Sequence, residues 1–396
     1  MRVLMLGWEF PPFKSGGLGT YLLGFTRELN KLGVKITFIM PYTGKKMNYD
    51  FIEIIQADGI ESIAIASKLT PYASPTRAFY NSSGKTSTIA SVYGWGFFQE
   101  VEYYNMRAVQ IGSLVDCDLI HCHDWMTYPA GIALKRILKK PLVVTLHSTE
   151  FDRTGNICPN PLITSIERQG LLEADLVITV SNYEKKQLVE RYGIPDEKIY
   201  VVHNAIDLDH YKRVPIEKYL SDKVVLFVGR LTIQKGCEFF LDAAKLVLEK
   251  VPNTRFVIVG SGDLMFNLIQ KSIELGISDR VHFVGFDPDV RKYYSIADVF
   301  VMPSVSEPFG LTALEAMACN VPVIVSKQSG VSEVLRNCLK VDFWDVNELA
   351  NKIISLLQYP PLHIELKENS HREIKRFRTW RNVAAECIEL YKKVLS

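Results

Sequence analysis

Short apolar runs recur along this chain of 396 residues, and most are followed by a glycine-bearing or polar turn and then an amphipathic segment. The first unit has an apolar run at residues 2–6, apolar positions at helical spacing over about 20–31, and a second run at 34–40. Runs that are apolar throughout are typical of parallel strands buried on both faces. The pattern therefore predicts alternating strands and helices, as in doubly wound α/β domains.

The same order of strand, glycine-bearing loop and helix begins again after a polar, charged stretch at residues 209–222, which has the composition of an interdomain linker. Two doubly wound, Rossmann-like domains that face each other across a cleft are therefore expected, at residues 1–207 and 208–376. An amphipathic helix is predicted over the remaining segment, 377–396, which contains Trp380.

Composition narrows the class of protein. The chain is 47% hydrophobic and 23% charged, its net charge is +2, and it has no polybasic run, which gives no support for a nucleic acid as the main partner. Its seven cysteines are scattered without a C-x-x-C pair, as expected for reduced thiols in the cytoplasm. No apolar run approaches the ~20 residues of a membrane span, and the first residues do not resemble a signal peptide. A cytoplasmic protein without a transmembrane segment is expected.

Two carboxylates, Glu307 and Glu315, flank the turn between a predicted strand at 297–302 and a predicted helix at 311–318. Ligands of open α/β sheets bind at this end of the strands. The amides of Gly310, Leu311 and Thr312 would point at such a ligand, and the helix dipole favours an anion such as a diphosphate. Glu315 could accept hydrogen bonds from sugar hydroxyls, or it could only complement the helix dipole.

A glycine-rich loop, Lys14-Ser15-Gly16-Gly17-Leu18, follows the first predicted strand. Glycines let a backbone approach a ligand closely, but the spacing is not the G-x-G-x-x-G of dinucleotide-binding proteins. A ligand-binding loop and a purely structural turn are both compatible with it.

A buried strand ends at His121-Cys122-His123-Asp124-Trp125. The H-x-H spacing places both imidazoles on one face of a strand. A zinc site is the less favoured interpretation, because the sequence shows no second cluster of ligands.

Arg230 and Lys235 lie in one loop after the first strand of the second half. A guanidinium and an ammonium at this position can together hold two phosphate groups. Each of them alone could equally be a solvated surface charge.

These elements, G-G-L, H-x-H-D-W, G-R-x-x-x-x-K-G and E-x7-E, occur in the order seen in retaining glycosyltransferases of the GT-B fold, which the chain resembles over nearly its whole length. The first domain resembles glycogen and starch synthases more than lipid-directed mannosyltransferases. One departure is His203-Asn204-Ala205 in place of the family's Pro-Asn-Gly. The resemblance implies a GT-B fold whose C-terminal helix crosses back to the first domain.

The resemblance also implies roles for individual residues. Arg230 and Lys235 would stabilise the departing diphosphate, Glu307 would orient the sugar, and His123 would contact the sugar near its reacting carbon. The implied substrate-binding residues are Lys14, Gly16, Gly17, Phe309, Gly310, Leu311, Thr312 and Glu315, the last of them at the ribose. No metal or other cofactor is implied, because the cations of Arg230 and Lys235 would replace one.

The implied reaction is retaining transfer of a hexose, with glucose favoured, from ADP-glucose or UDP-glucose to an acceptor. The favoured acceptor is an α-1,4-glucan. A small sugar, a sugar phosphate or a lipid is the alternative acceptor. The aromatic residues Tyr93, Trp95, Phe97 and Phe98 could stack on glucose rings, although core packing is the commoner use of such residues.

Three other classes of protein remain open. They are a phosphorylase that carries pyridoxal phosphate, a sugar-nucleotide epimerase, and a noncatalytic nucleotide-sugar-binding protein. A homo-oligomer is also left open.

Overall fold

The structure, a computed structural model, describes residues 1–12, 16–41, 47–57, 95–216 and 221–396. The apolar runs form the strands of two parallel sheets. The first sheet contains β1 Arg2–Leu6, β2 Lys35–Met40, β3 Glu53–Gln56, β4 Leu119–His123, β5 Leu142–Leu146, β6 Leu176–Thr179 and β7 Ile199–Val201. The second contains β8 Lys223–Val228, β9 Thr254–Val259, β10 Val281–Gly285, β11 Val299–Met302, β12 Val323–Ser326 and β13 Leu339–Val341.

Helices cover both sheets. Those that accompany the first sheet are α1 Gly17–Lys31, α2 Trp95–Gly112, α3 Tyr128–Leu138, α4 Glu150–Arg153, α5 Pro161–Glu173 and α6 Asn182–Tyr192. Those that follow are α7 Cys237–Lys250, α8 Met265–Glu274, α9 Arg291–Ile296, α10 Leu311–Ala318, α11 Val331–Val334, α12 Val346–Gln358, α13 Pro360–Ile374 and α14 Trp380–Leu395. The predicted α/β fold with two doubly wound sheets is confirmed.

Strand order locates the cleft. It is β3-β2-β1-β4-β5-β6-β7 in the first sheet and β10-β9-β8-β11-β12-β13 in the second. In each sheet the chain starts in the middle, moves to one edge, and then returns to build the other half. The strand pairs β1/β4 and β8/β11 therefore border topological switch points, where a crevice opens at the carboxyl ends of the strands.

Both faces of each sheet are buried. Along β1, Leu4 and Leu6 belong to the core cluster on one face, while Val3 and Met5 belong to the cluster on the other. This alternation explains why the strands are apolar throughout and not at every second position.

The last helix, α14, packs against α1 of the first sheet. Its buried side chains lie in the core cluster that also holds Tyr21 and Phe25; they are Trp380, Val383, Ala384, Cys387 and Tyr391. The hydroxyl of Tyr391 lies 2.7 Å from Nδ1 of His121 on β4. The chain thus returns from the second sheet to the first, while the domain limits at 207/208 and 376/377 stay a prediction.

Side-chain oxygens accept hydrogen bonds from amides in the first turn of some helices. Ser181 caps α6, because its Oγ accepts a hydrogen bond from the amide of Glu184. Helix α1 begins at Gly17 and not near residue 20, and the carboxylate of Glu9 accepts a hydrogen bond from the amide of Gly19, 2.6 Å away. The glycines had indicated a longer loop.

The contact between α1 and α14 depends on Gly24. A Cβ at residue 24 would lie 2.6 Å from atoms of the Trp380 indole. We expect Gly24→Ala to displace Trp380 and to lower the free energy of unfolding by about 1–3 kcal/mol. Gly96→Ala is the control, because a Cβ there meets nothing within 4 Å. Chemical denaturation would compare the two variants with the wild-type chain, and equal midpoints would contradict this account of the packing.

Candidate functional site

The two switch points face each other where α1 and α10 begin. Helix α1 starts at Gly17 and α10 starts at Leu311. A Cβ on Gly17 would lie only 3.3 Å from Cδ1 of Leu311, so the two helix N-termini are close neighbours. Both ends carry the positive pole of a helix dipole and amides without partners inside the helix, which together favour an anion beside them.

Gly310 sets the direction of α10. Its φ is 111°, in the region that favours glycine, and a Cβ would lie 2.8 Å from Cε of Met302. The side chains of Leu311 and Thr312 are half-buried. Phe309 packs inside the core of the second sheet, where it is 2% exposed, so only its backbone can face a ligand.

Lys235 and Glu307 form an ion pair across the second switch point. Nζ of Lys235 lies 2.5 Å from Oε2 of Glu307, and the Ser304 hydroxyl donates to the same oxygen at 3.2 Å. Both charged side chains are largely shielded from solvent. The two predicted catalytic groups are therefore in direct contact.

The loop that carries Arg230 and Lys235 lies directly against the strand end of β11. Gly236 adopts φ 66°, and a Cβ there would lie 2.0 Å from the carbonyl oxygen of Pro303. Arg230 is half-buried on the same loop, and its Nη2 donates to Oε1 of Gln234 at 3.3 Å. The loop thus places a guanidinium and an ammonium at one strand end, as predicted for a diphosphate site.

Glu315 lies one turn into α10 and is 8% exposed. Its Oε2 accepts a hydrogen bond from the hydroxyl of Tyr294 at 3.0 Å. Burial, followed by the charge of Glu315 and a hydrogen bond to it, raises the pKa of Tyr211 well above its ordinary value. Two tyrosines thus accompany this carboxylate, and its predicted role at a ribose stays a prediction.

His123 lies deeper than its predicted role requires. Its side chain is 0% exposed, Nδ1 lies 3.1 Å from Nε2 of His147, and the Tyr21 ring lies 6.0 Å away. Among the described residues, Nε2 of His123 is buried without a hydrogen-bond partner. Burial, assisted by the neighbouring imidazoles of His121 and His147, lowers the pKa of His123 well below its ordinary value. The ring is therefore neutral, and its contact with a sugar stays a prediction.

The H-x-H geometry itself is as the spacing indicated. His121 and His123 lie on one face of β4 with ring centroids 4.2 Å apart. His121 bonds to Tyr391 through Nδ1 and to Thr145 through Nε2, each at 2.7 Å. Burial lowers its pKa to about 3, so this ring is neutral as well.

Two residues to which the sequence analysis gave no role of their own adjoin His123. Asp124 has φ 61° and ψ 163°, a backbone region almost reserved for glycine, and strain of this kind clusters at functional sites. Its Oδ1 accepts the His147 amide at 2.7 Å, and burial raises its pKa to about 7. The position of each after a strand, Asp124 after β4 and His147 after β5, was the signal available in the sequence.

Some predicted contacts lie elsewhere or outside the described residues. Lys14 and Tyr93 fall outside them, as does the side chain of Trp95. Phe97 and Phe98 are partly buried and pack beside Trp125 against the core of the first sheet. Within the described ranges, no group of three His, Cys, Asp or Glu side chains could hold a metal ion. No helix in those ranges could span a membrane.

Two family models match consecutive parts of the chain. Glycosyltransferase Family 4 matches residues 15–210, and Glycosyl transferases group 1 matches residues 211–373.

Relatives match over most or part of the chain. An "uncharacterized glycosyltransferase" of Methanocaldococcus jannaschii is 30% identical, covering 99% of this chain and 98% of the relative. A glycogen synthase of Mycobacterium tuberculosis is 26% identical, covering 99% and 94%. A D-inositol 3-phosphate glycosyltransferase of Mycobacterium sp. is 32% identical over 62% of this chain and 60% of the relative.

Solved structures share the fold. Sucrose-phosphate synthase from Thermosynechococcus elongatus superposes with a TM-score of 0.78 at 21% identity, covering 99% of this chain and 98% of that one. Anabaena HepE in complex with UDP-glucose superposes with a TM-score of 0.73 at 19% identity, covering 99% and 100%. Together with the two parallel sheets and the full-length relative, these comparisons show that the chain belongs to the glycosyltransferases of the GT-B fold.

Proposed function

We propose that this glycosyltransferase moves a hexose from a nucleoside-diphosphate sugar to an α-1,4-glucan with retention of the anomeric configuration. Glucose is the favoured hexose. The observation that carries the donor side is the meeting of the two switch points. There Gly17 faces Leu311, and Lys235 reaches Glu307 from the loop of Arg230. Cations and helix N-termini at one cleft suit a diphosphate better than any neutral ligand.

Departure of the nucleoside diphosphate develops negative charge on the β-phosphate and positive charge on the sugar. Arg230, Lys235 and the N-terminus of α10 stabilise the first charge in this mechanism. Lys235 exchanges its carboxylate partner for a phosphate oxygen when the donor binds. Glu307 then orients the sugar, with its carboxylate beside the developing positive charge. These groups take the place of a metal ion at the diphosphate.

The sugar side of the cleft lies, in this proposal, at the end of β4, where His123 is buried. Because its imidazole is neutral, it acts in this proposal as a hydrogen-bonding group and not as a cation. His147 and Asp124 fix the ring orientation and the end of β4. The loop after β4 thus serves to position the transferred sugar.

Three observations support, in turn, the proposed glucan acceptor, a cytoplasmic location and a nucleotide-sugar donor. The glycogen synthase relative matches nearly the whole chain, including the first domain. All seven cysteines are free thiols, which supports a cytoplasmic location. A structural neighbour was solved with UDP-glucose, which supports a nucleotide-sugar donor.

A second candidate acceptor is a small phosphorylated polyol or sugar. The observation that favours it is the D-inositol 3-phosphate glycosyltransferase relative, which is 32% identical over part of the chain. Phe97 and Phe98 are partly buried against the core, which takes up part of the aromatic surface predicted to meet a glucan.

The experiment that tests the proposal crosses ADP-, UDP- and GDP-sugars with maltooligosaccharides, inositol phosphate, fructose 6-phosphate and glucose. Released nucleoside diphosphate reports donor use, and product length reports the acceptor. We expect a ladder of longer α-1,4 chains from the maltooligosaccharide. Transfer to a small acceptor without elongation would contradict the glucan but not the donor chemistry, and no release from any donor would contradict both.

Removing either cation of the diphosphate site tests its role. Arg230→Ala and Lys235→Ala should each cost about 3–4 kcal/mol of transition-state stabilisation, so kcat should fall by about 10²–10³. Lys245→Ala on the exposed face of α7 is the matched control and should leave kcat unchanged. Steady-state kinetics with saturating donor measures the effect. Near-wild-type kcat in both site variants would place the diphosphate elsewhere.

The two glutamates should differ in their kinetic effect. Glu307→Gln should mainly lower kcat, because its charge matters most as positive charge develops on the sugar. Glu315→Gln should mainly raise the donor KM, because ribose contacts change little along the reaction. Initial rates over a range of donor concentrations separate the two constants, and the reverse pattern would refute the assignment.

A further inference from the structure

We infer that the first domain holds Glu307 in its working position through an interdomain clamp, defined as Asp152, Ser181 and Tyr183. The inference rests on the proposed role of Glu307. These clamp residues act as positioning residues, because they bond to the neighbours of Glu307 on both sides and not to Glu307 itself.

On the N-terminal side, the clamp holds Ser306. Its fully buried Oγ donates a hydrogen bond to Oδ1 of Asp152. A serine hydroxyl has one proton, so the Tyr183 hydroxyl, 2.9 Å away, donates to the Ser306 oxygen. The Ser306 hydroxyl therefore donates one hydrogen bond to the first domain and accepts one from it.

On the C-terminal side, the clamp holds Pro308. The Oγ of Ser181 donates to the carbonyl oxygen of Pro308 at 2.6 Å. Gly330 completes the junction, since its amide donates to the Glu307 carbonyl at 2.9 Å. A Cβ on Gly330 would lie 2.5 Å from Cβ of Ser181, so a larger residue there would separate the two domains.

The clamp is itself held firmly inside the first domain. Asp152 is fully buried and forms a capping box with Thr149, whose amide donates to Oδ2 at 2.8 Å. Nε2 of Gln187 donates to Oδ1 of Asp152 at 2.9 Å, which ties α4 to α6. Groups supported in this way can fix the position of what they bind.

The second domain reaches back to the same helix end. Glu333 accepts hydrogen bonds from the amides of Asn182 and Tyr183 at 2.8 and 3.1 Å. Its Oε1 also lies 2.6 Å from Nε2 of His203. The N-terminus of α6 is thereby fixed against the loops that follow β11 and β12, which sets how these loops meet the first domain.

Donor binding and turnover should therefore depend on the clamp to different degrees. Arg230, Lys235 and the start of α10 all belong to the second domain, so their contacts with the diphosphate do not need the clamp. The backbone on both sides of Glu307 is tied to the first domain, so the carboxylate reaches its working position only when the domains are closed together. Loss of the clamp should therefore reduce turnover more than donor binding.

Tyr183→Phe removes one hydroxyl of the clamp and keeps the ring. We expect kcat to fall roughly tenfold while the donor KM stays within about twofold. Tyr200→Phe is the matched control. The Tyr200 hydroxyl bonds to Lys393 on α14 and to none of the described residues 304–310. In a Glu307→Gln background, Tyr183→Phe should have no further effect on kcat, because both changes act through the same carboxylate. A purely structural role would give additive effects.

Hydrogen exchange of the amides at residues 304–310 gives a readout without substrate. Exchange should be faster in Tyr183→Phe than in Tyr200→Phe. Unchanged kcat, additive effects in the double variant, or unchanged exchange would each overturn the inference. If the wild-type chain turns over no donor, the proposed function fails, and the exchange measurement alone decides whether the clamp holds the loop.

Discussion

The ion pair between Lys235 and Glu307 is the interaction on which the site depends. It joins the loop after β8 to the loop after β11 across a switch point, and both side chains are shielded from water. Removing one partner from such a pair leaves an uncompensated charge in a poorly solvated place, which is costly. In the proposed mechanism, the phosphate of an anionic donor would replace the carboxylate as the partner of Lys235, and Glu307 would then be available to the sugar.

Close packing at glycine residues is what brings the groups of this site together. Gly236 lets the Arg230 loop touch Pro303, Gly310 turns the chain into α10 beside Met302, and Gly17 admits the side chain of Leu311. At each of these positions a side chain would have to push its neighbour away. The return of α14 to the first sheet places the buried Tyr391 hydroxyl within hydrogen-bonding distance of His121 on β4, so the last helix contributes to the core behind the end of this strand.

Much of this could be predicted from the sequence. The strand at 2–6 and the helix at 311–318 were expected at their observed limits, because an uninterrupted apolar run and a clear turn leave few alternatives. Pairing Arg230 with Lys235 was also within reach, because one short loop carries both. The sequence left open whether Phe97 and Phe98 stack on sugars or pack with the core, and in the structure both pack against the core cluster.

Other features could not be predicted because they depend on contacts between distant parts of the chain. The hydrogen bond of Ser306 to Asp152 joins residues 154 positions apart, and no local sequence pattern predicts it. The burial of His123 depends on Tyr21 and Phe25 of α1, which the H-x-H spacing does not reveal. Asp124, with its unusual backbone, bonds to His147 on the next strand end, a contact that its neighbours in sequence do not reveal.

The central claim is that the carboxyl ends of the two sheets bind a nucleoside diphosphate between them. A crystal structure of the chain with bound UDP or ADP tests it most directly. The account predicts a β-phosphate within hydrogen-bonding distance of Arg230, Lys235 and the amide of Leu311, with the ribose at Glu315. A diphosphate bound instead in the groove of about 570 Å³ whose lining includes Lys135, Lys140 and Lys198 would contradict it.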